Sequence, residues 1–127
     1  MEKVFKFTID QVPPSTNHLY TNGGHGRRVL VSAGRKYKSK VAEACAHAVS
    51  GHKFIDRSHW SATLTYYLSS SFNLRDVNNM DKLIIDGISN AIGIDDRYMQ
   101  SLGLEKVLCA KGDERVEVTI EAVVEMF

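Results

Sequence analysis

Residues 75–82 read RDVNNMDK, and residues 79–92 repeat apolar side chains at the spacing of a helix. The apolar positions lie three, four or seven residues apart and form one stripe, which consists of Met80, Leu83, Ile84, Ile88, Ala91 and Ile92. This spacing predicts a central amphipathic helix from Asn79 to Ile92 that buries one face against the rest of the chain.

A polar stripe accompanies the apolar one. Asn78, Lys82 and Asp86 follow each other at intervals of four residues, and Asn79 lies three residues before Lys82. Their side chains therefore project from one side of the predicted helix. Asp76 lies just before this helix. The helix and its approach thus combine carboxylate, amide and ammonium groups on one surface.

More acidic groups follow the helix. Gly93 is expected to end it, because glycine readily takes the left-handed conformation that closes helices, and Asp95 and Asp96 come next. If the chain turns back here, acids from both ends of the helix meet over one surface. Mg²⁺ prefers oxygen ligands and keeps several waters, so a few protein oxygens are enough to hold it. A lysine close by supplies positive charge for a phosphate, and the pattern is suited to metal-dependent phosphodiester cleavage.

The same residues also have a purely structural interpretation. Asp76 or Asn78 can cap the helix, and the helix dipole favours an acid such as Asp81 in the first turn. Lys82 and Asp86 have the spacing of an ordinary surface ion pair. The spacing alone leaves both interpretations open.

Length and composition predict one globular domain. The 127 residues suffice for a single core, and we expect residues 1–127 to form one domain. Hydrophobic residues make up 43% and charged residues 24%, and the net charge of +1 argues against a generally basic nucleic-acid-binding protein. Residues 21–40 nevertheless contain basic and no acidic side chains, and the basic ones are Arg27, Arg28, Arg35, Lys36, Lys38 and Lys40. This segment is suited to phosphate contacts, although a solvated helix face after a loop explains it equally well.

The cysteines and the N-terminus indicate a cytoplasmic protein. Cys45 and Cys109 lack the spacing of a metal site, and both are predicted to be reduced core residues. The charged N-terminus is unlike a signal peptide, and no apolar run is long enough to cross a membrane. We therefore expect a protein of the cytoplasm with no membrane partner.

Alternating and helical patterns predict the remaining elements. Strands are expected at residues 3–12, 28–31, 60–69, 102–110 and 115–124, with a first helix at 33–50. Residues 20–28 are expected to form a glycine-rich loop, and residues 111–114 a hairpin turn between the last two strands. The predicted fold is α+β, with a mixed sheet of about four to five strands and two main helices.

The motif Asp76-x-Asn78-Asn79-x-x-Lys82-x-x-x-Asp86, followed by Asp95-Asp96, resembles the signature of the RusA family of Holliday junction resolvases. The opening Pro13-Pro14-Ser15-Thr16-Asn17 and the later Val31-Ser32 match as well, so the resemblance covers nearly the whole chain. These enzymes occur in bacteria and their prophages and act in DNA recombination and repair. The resemblance implies a RusA-like fold and a homodimer that binds four-way DNA junctions. It also implies paired symmetrical nicks made with Mg²⁺, for which Mn²⁺ can substitute.

The resemblance also implies roles for individual residues. Asp76, Lys82 and Asp96 would be catalytic, with Lys82 at the scissile phosphate. The metal would be held by Asp76, Asn78, Asp95 and Asp96. Asn79 and Asp86 would support the site through hydrogen bonds. For DNA contacts, charge and position select Arg27, Arg28, Lys36 and Lys40.

Asn78 departs from the family pattern, which usually has aspartate at this position. An amide oxygen can bind Mg²⁺ but brings no negative charge, so weaker metal binding is expected. Three explanations are open. Asp95 or Asp81 supplies the missing charge in a natural site, or an aspartate was replaced to trap an inactive protein. In the third, this member binds junctions and cleaves them poorly.

Other functions remain compatible with the sequence. The chain would be a non-catalytic junction- or DNA-binding protein if its acids are only structural. It would be a small metal-dependent nucleotide phosphohydrolase if the basic segment holds a nucleotide phosphate. A regulatory protein that interacts through an open edge strand is a third alternative.

Overall fold

In the computed structural model, which describes residues 1–14, 20–22, 28–30 and 32–125, two helices pack on one face of a four-stranded sheet. The strands are β1 (Glu2–Ile9), β2 (Tyr20–Asn22), β3 (Arg28–Leu30), β4 (Trp60–Leu68), β5 (Met99–Leu108) and β6 (Arg115–Val123). The helices are α1 (Ser32–Ala48) and α2 (Lys82–Ile92). The predicted α+β class, with a mixed sheet and two helices, is confirmed.

The order of strands in the main sheet is β1-β6-β4-β5. β4 pairs antiparallel with β6 and parallel with β5. Parallel neighbours need a crossover connection, and here the connection contains α2. The segment before α2 therefore leaves the C-terminal end of β4, and the segment after α2 enters the N-terminal end of β5.

The predicted hairpin between the last two strands is wrong. β4 lies between β5 and β6, so these two strands do not pair with each other. A turn does occur where it was expected, with Gly112 at a φ of 93°. The amide of Cys109 donates a hydrogen bond to the carbonyl oxygen of Leu68 (2.9 Å), which places this connection at the end of β4. Alternation predicts a strand correctly but does not specify which neighbour it joins.

Other differences concern the ends of elements. Residues 20–22, expected within a loop, form β2 and pair antiparallel with β3, while the glycine-rich residues 23–27 lie outside the described ranges. β5 begins at Met99 rather than at residue 102. α2 begins at Lys82, because a short 3-10 helix, Val77–Asn79, precedes it. The bounds of the 3-10 helix and of α2 matter because they determine which element carries each residue of the acidic motif.

The core lies between the helices and the inner face of the sheet. β4 alternates as predicted and buries Trp60, Ala62, Leu64, Tyr66 and Leu68. Cys45 is a buried free thiol, whereas Cys109, predicted to be a core residue, is only half-buried. Within the described ranges, no helix is long and apolar enough to cross a membrane.

Candidate active site

The segment 69–76 carries the chain from β4 to the acidic motif, and two cations hold it. Lys106 Nζ donates hydrogen bonds to the carbonyl oxygens of Phe72 (2.7 Å) and Arg75 (3.0 Å). The guanidinium of Arg75 donates to the carbonyl oxygen of Pro13 (2.6 Å). Burial lowers the pKa of Arg75, although a guanidinium stays protonated in proteins. Asp76 therefore follows a peptide that is anchored at several points.

Asp76 caps the 3-10 helix Val77–Asn79. Its Oδ1 accepts a hydrogen bond from the backbone N–H of Asn78 (3.2 Å). Its backbone carbonyl oxygen accepts one from the backbone N–H of Asn79 (3.0 Å). The capping interpretation of Asp76 thus holds for this short helix. Asp76, Asn78 and Asn79 are all exposed, so capping does not withdraw the carboxylate from solvent.

α2 presents the polar stripe that follows. Its buried side is apolar and consists of Leu83, Ile84, Ile85, Ile88 and Ile92. Lys82 is exposed and Asp86, one turn further along, is half-buried. Asp81 occupies the N-cap position, but its side chain makes no capping hydrogen bond. The helix therefore directs Lys82 and Asp86 away from the core.

The end of α2 turns the chain back toward the helix. Gly93 has a φ of 73°, a left-handed conformation that favours glycine, and its amide donates to the carbonyl oxygen of Ser89 (2.9 Å). The Ser89 hydroxyl donates to the carbonyl oxygen of Ile94 (2.7 Å), whose side chain is buried. Trp60 Nε1 donates to the carbonyl oxygen of Asp95 (3.3 Å). These contacts hold the backbone that bears the acidic pair.

Asp96 is electrostatically coupled to two other predicted acids, Asp95 and Asp86. The Arg97 amide, and then the carboxyl group of Asp96, hold the pKa of Asp95 below its usual range. The opposite shift occurs at Asp96, whose pKa is raised by a hydrogen bond with Asp95, by burial and by the charges of Asp95 and Asp86. Like charges at close range disfavour full ionisation. The turn after Gly93 thus places Asp96 within reach of the charge of Asp86.

The donor chemistry of this cluster fits a hard divalent cation. It offers carboxylate oxygens. The pKa of Asp96 is raised first by its hydrogen bond with Asp95 and further by the charges of Asp95 and Asp86, which a cation would offset. In the part of the chain that the structure describes, however, no three His, Cys, Asp or Glu side chains converge in a geometry that holds a metal ion. Mg²⁺ is commonly bound by one or two carboxylates together with waters and substrate phosphates, which is compatible with this more open arrangement. Asp76 and Asn78 lie before α2, and Asp95 and Asp96 after it.

The predicted DNA contacts are described only in part. Arg27 and the side chain of Arg28 lie outside the described residues. Lys36 and Lys40 lie on α1 beside an open surface depression of about 530 Å³, which is lined by Arg35, Lys36, Ser39, Lys40 and Glu43. Lys40 Nζ also forms an ion pair with Asp10 (2.5 Å) between exposed side chains.

The sequence patterns predicted no role for Lys106 or for the side chain of Arg75. Lys106 had a detectable signal, because it occupies an apolar position in the alternation of Leu104, Lys106 and Leu108. A lysine at such a position points to a polar group within reach, and here that group is the loop carbonyls. Arg75 is part of the motif, but its contact with Pro13 spans 62 residues and has no local signal.

Comparison with known proteins gives one family match. The family model described as "Endodeoxyribonuclease RusA" matches residues 11–121, which include every element of the site described above. No curated protein gives a significant match. One solved structure that aligns is 2C-methyl-D-erythritol 2,4-cyclodiphosphate synthase from Plasmodium vivax, at 13% identity, with 100% of this chain and 99% of that chain covered and a TM-score of 0.36. An agreement that weak supports no conclusion about fold or function.

Proposed function

This chain belongs to the RusA endodeoxyribonuclease family, and from that premise we propose that it is a metal-dependent resolvase of four-way DNA junctions. The observation that carries the proposal is the electrostatic coupling of Asp96 to Asp95 and to Asp86, which lies on the helix that begins at Lys82. The family match supports nuclease chemistry on DNA. The acidic cluster supports a divalent cation, because it assembles oxygen ligands of like charge.

In this proposal the predicted residues divide into metal ligands and a lysine that acts on the phosphate. Asp76 and Asp96 bind Mg²⁺ or Mn²⁺, with Asn78 and Asp95 as further oxygen donors. When bound, such a metal activates a water and neutralises charge on the scissile phosphate. Lys82 contributes a positive charge toward that phosphate.

Asn79 and Asp86 support the site in this proposal. Asp86 already acts electrostatically on Asp96, so its charge adds to the attraction for a cation. Asn79 belongs to the 3-10 helix that Asp76 caps. The backbone N–H of Asn79 donates a hydrogen bond to the carbonyl oxygen of Asp76. Both residues therefore influence a ligand without being required as ligands themselves.

DNA binding is assigned to α1 and to the segment before it. Arg27, Arg28, Lys36 and Lys40 are proposed to contact phosphates, and the depression on α1 offers a basic surface for the last two. The Lys40–Asp10 pair is exposed on both sides, so breaking or sharing it costs little when a phosphate approaches.

We further propose that the active form is a homodimer. Resolution of a junction requires two nicks in strands related by a two-fold axis, and one chain carries one acidic cluster. A symmetric dimer supplies two sites in that relation. Sedimentation at micromolar concentration tests this, and a purely monomeric protein would contradict it.

The deciding experiment is cleavage of a labelled synthetic four-way junction, with a linear duplex of the same sequence as control. The chain is tested beside Asn78→Asp, Asp76→Asn and Lys82→Met, with Mg²⁺ and Mn²⁺ in separate series. Paired nicks on the junction alone, lost in Asp76→Asn and Lys82→Met, are expected. Turnover of mononucleotides instead of junctions would favour a nucleotide phosphohydrolase.

A second candidate is a junction-binding protein without cleavage. Two observations favour it: Asn78 brings no charge, and no three acidic or other metal-binding side chains converge within the described ranges. This candidate predicts metal-independent junction binding by the chain as it stands. Cleavage that appears only in Asn78→Asp would identify a resolvase site disabled at one ligand. Absence of cleavage in both forms would reject the enzymatic proposal.

A further inference from the structure

Lys106 is a charged residue in an apolar position of an edge strand. It lies in β5 directly across from Tyr66 in β4, whose side chain is fully buried. Burying an ammonium group is costly unless it finds hydrogen-bond acceptors. Lys106 is half-buried, and its ammonium group bonds to two carbonyl oxygens of segment 69–76. The lysine therefore connects the sheet to the segment that leads into the acidic motif.

The contacts of Lys106 are concentrated on this segment. Besides the two hydrogen bonds, Nζ lies 4.6 Å from the centroid of the Phe72 ring, within the range of a cation–π interaction. The segment also folds on itself, since the amides of Leu74 and Arg75 both donate to the carbonyl oxygen of Ser71 at 3.0 and 3.1 Å. Lys106 thus contacts this compact turn at two points, Phe72 and Arg75.

Of the two carbonyl groups that Lys106 contacts, that of Arg75 is the one adjacent to the site. It belongs to the peptide bond that joins Arg75 to Asp76, so the hydrogen bond from Lys106 (3.0 Å) restrains the backbone directly before Asp76. The Arg75 side chain supplies a second anchor through the carbonyl oxygen of Pro13. From this geometry we propose that Lys106 is a positioning residue that sets the place of the Asp76 carboxylate.

Only the catalytic consequence of this inference rests on the proposed function. Lys106 acts through the backbone, and partners of this kind typically change metal affinity or activity by about tenfold to a hundredfold. The structural part of the inference is independent of any activity, because the position of Asp76 is reported by the amides that bond to it. These are the amides of Asn78, on Oδ1, and of Asn79, on the carbonyl oxygen.

The test compares Lys106→Met, which keeps the length of the side chain, with Lys106→Arg, which keeps a donor. Lys111→Met is the matched control, since Lys111 is exposed in the β5–β6 connection and its replacement removes the same charge. Amide hydrogen exchange is measured by NMR across the chain. Metal-free binding to a four-way junction is measured in parallel, as is the metal concentration that gives half-maximal cleavage. If the chain as it stands does not cleave, the cleavage arm is run on Asn78→Asp.

We expect Lys106→Met to speed exchange at Asn78 and Asn79 and to raise the metal requirement by about tenfold or more. Exchange in β4, thermal stability and metal-free junction binding should match those of Lys111→Met, and Lys106→Arg should restore part of the effect. Exchange that rises uniformly with a loss of stability would overturn the proposal in favour of a general structural role. Weaker metal-free binding with unchanged exchange would overturn it in favour of a DNA contact. If no form cleaves, the proposed function fails while the exchange data still decide the role of Lys106.

Discussion

Asp95 raises the pKa of Asp96 through a hydrogen bond between their carboxyl groups and through its charge. The charge of Asp86, ten residues before Asp96, adds to the same shift. Carboxylates coupled in this way concentrate negative potential on one surface. Such an arrangement is characteristic of sites that bind a cation.

Replacement of Asp96 should therefore stabilise the free protein. The pKa of Asp96 is higher in the folded chain than its unfolded value of about 3.9. The folded state thus binds this proton more tightly, and stability falls as the pH rises through the folded pKa. Asp96→Asn should melt at a higher temperature than the unmodified chain at neutral pH, and the difference should vanish well below a pH of about 3.9, where both states are protonated.

Thermal melts across this pH range check the prediction. The exposed Asp113→Asn, in the β5–β6 connection, is the control for loss of one carboxylate. A lower melting temperature of Asp96→Asn at neutral pH, or a gain that persists unchanged in acid, would contradict it. Added Mn²⁺ should raise the melting temperature of the unmodified chain more than that of the variant.

Two buried tyrosines should respond in opposite directions to loss of the hydroxyl group. The Tyr66 hydroxyl is buried and has no hydrogen-bond partner among the described residues, whereas the Tyr37 hydroxyl donates to the carbonyl oxygen of Gln11 (2.8 Å). An unsatisfied buried polar group costs about 1–3 kcal/mol, and a typical hydrogen bond contributes about 1 kcal/mol. Tyr66→Phe should raise the free energy of unfolding by about 1 kcal/mol, and Tyr37→Phe should lower it by a similar amount. Urea titrations measure both, and a destabilised Tyr66→Phe would indicate a partner for that hydroxyl.

The contact between the two helices requires a glycine at position 87. A Cβ added there would lie 2.8 Å from Cβ and Cγ1 of Val41 and 3.0 Å from the carbonyl oxygen of Lys38, which is backbone and cannot move aside. Gly87→Ala should cost about 1–3 kcal/mol by overpacking, only partly offset by the roughly 1 kcal/mol helix preference of alanine. Gly103→Ala is the control, because its Cβ would meet only Thr63, at 3.5 Å or more. Equal stability of the two variants in urea would show that α1 and α2 separate easily.

The two thiols should differ sharply in reactivity. Cys45 is fully buried, and burial raises its pKa to about 12. Cys109 is half-buried, and its pKa is raised by desolvation and then by the nearby charges of Glu114 and Asp113. Iodoacetamide at mildly alkaline pH should label Cys109 slowly and Cys45 only after unfolding, because the thiolate is the reactive form. Mass spectrometry of Cys109→Ser tests this, and rapid native labelling of that variant would show that Cys45 becomes accessible by local opening.

The periodicity of the sequence by itself determined the two helices and the four strands of the main sheet, and the nature of the motif. The alternation of β4 and the helical stripe of α2 are local properties, since each depends on side chains a few residues apart. The acid, amide and lysine pattern of residues 76–86 is local in the same sense, and it was sufficient to suggest the family. Only tertiary structure decided that β4 separates β5 from β6, that Lys106 holds the carbonyl before Asp76, and that Asp86 acts on Asp96. Strand partners and long-range hydrogen bonds depend on which surfaces meet when the whole core closes, and no short window of sequence contains that information.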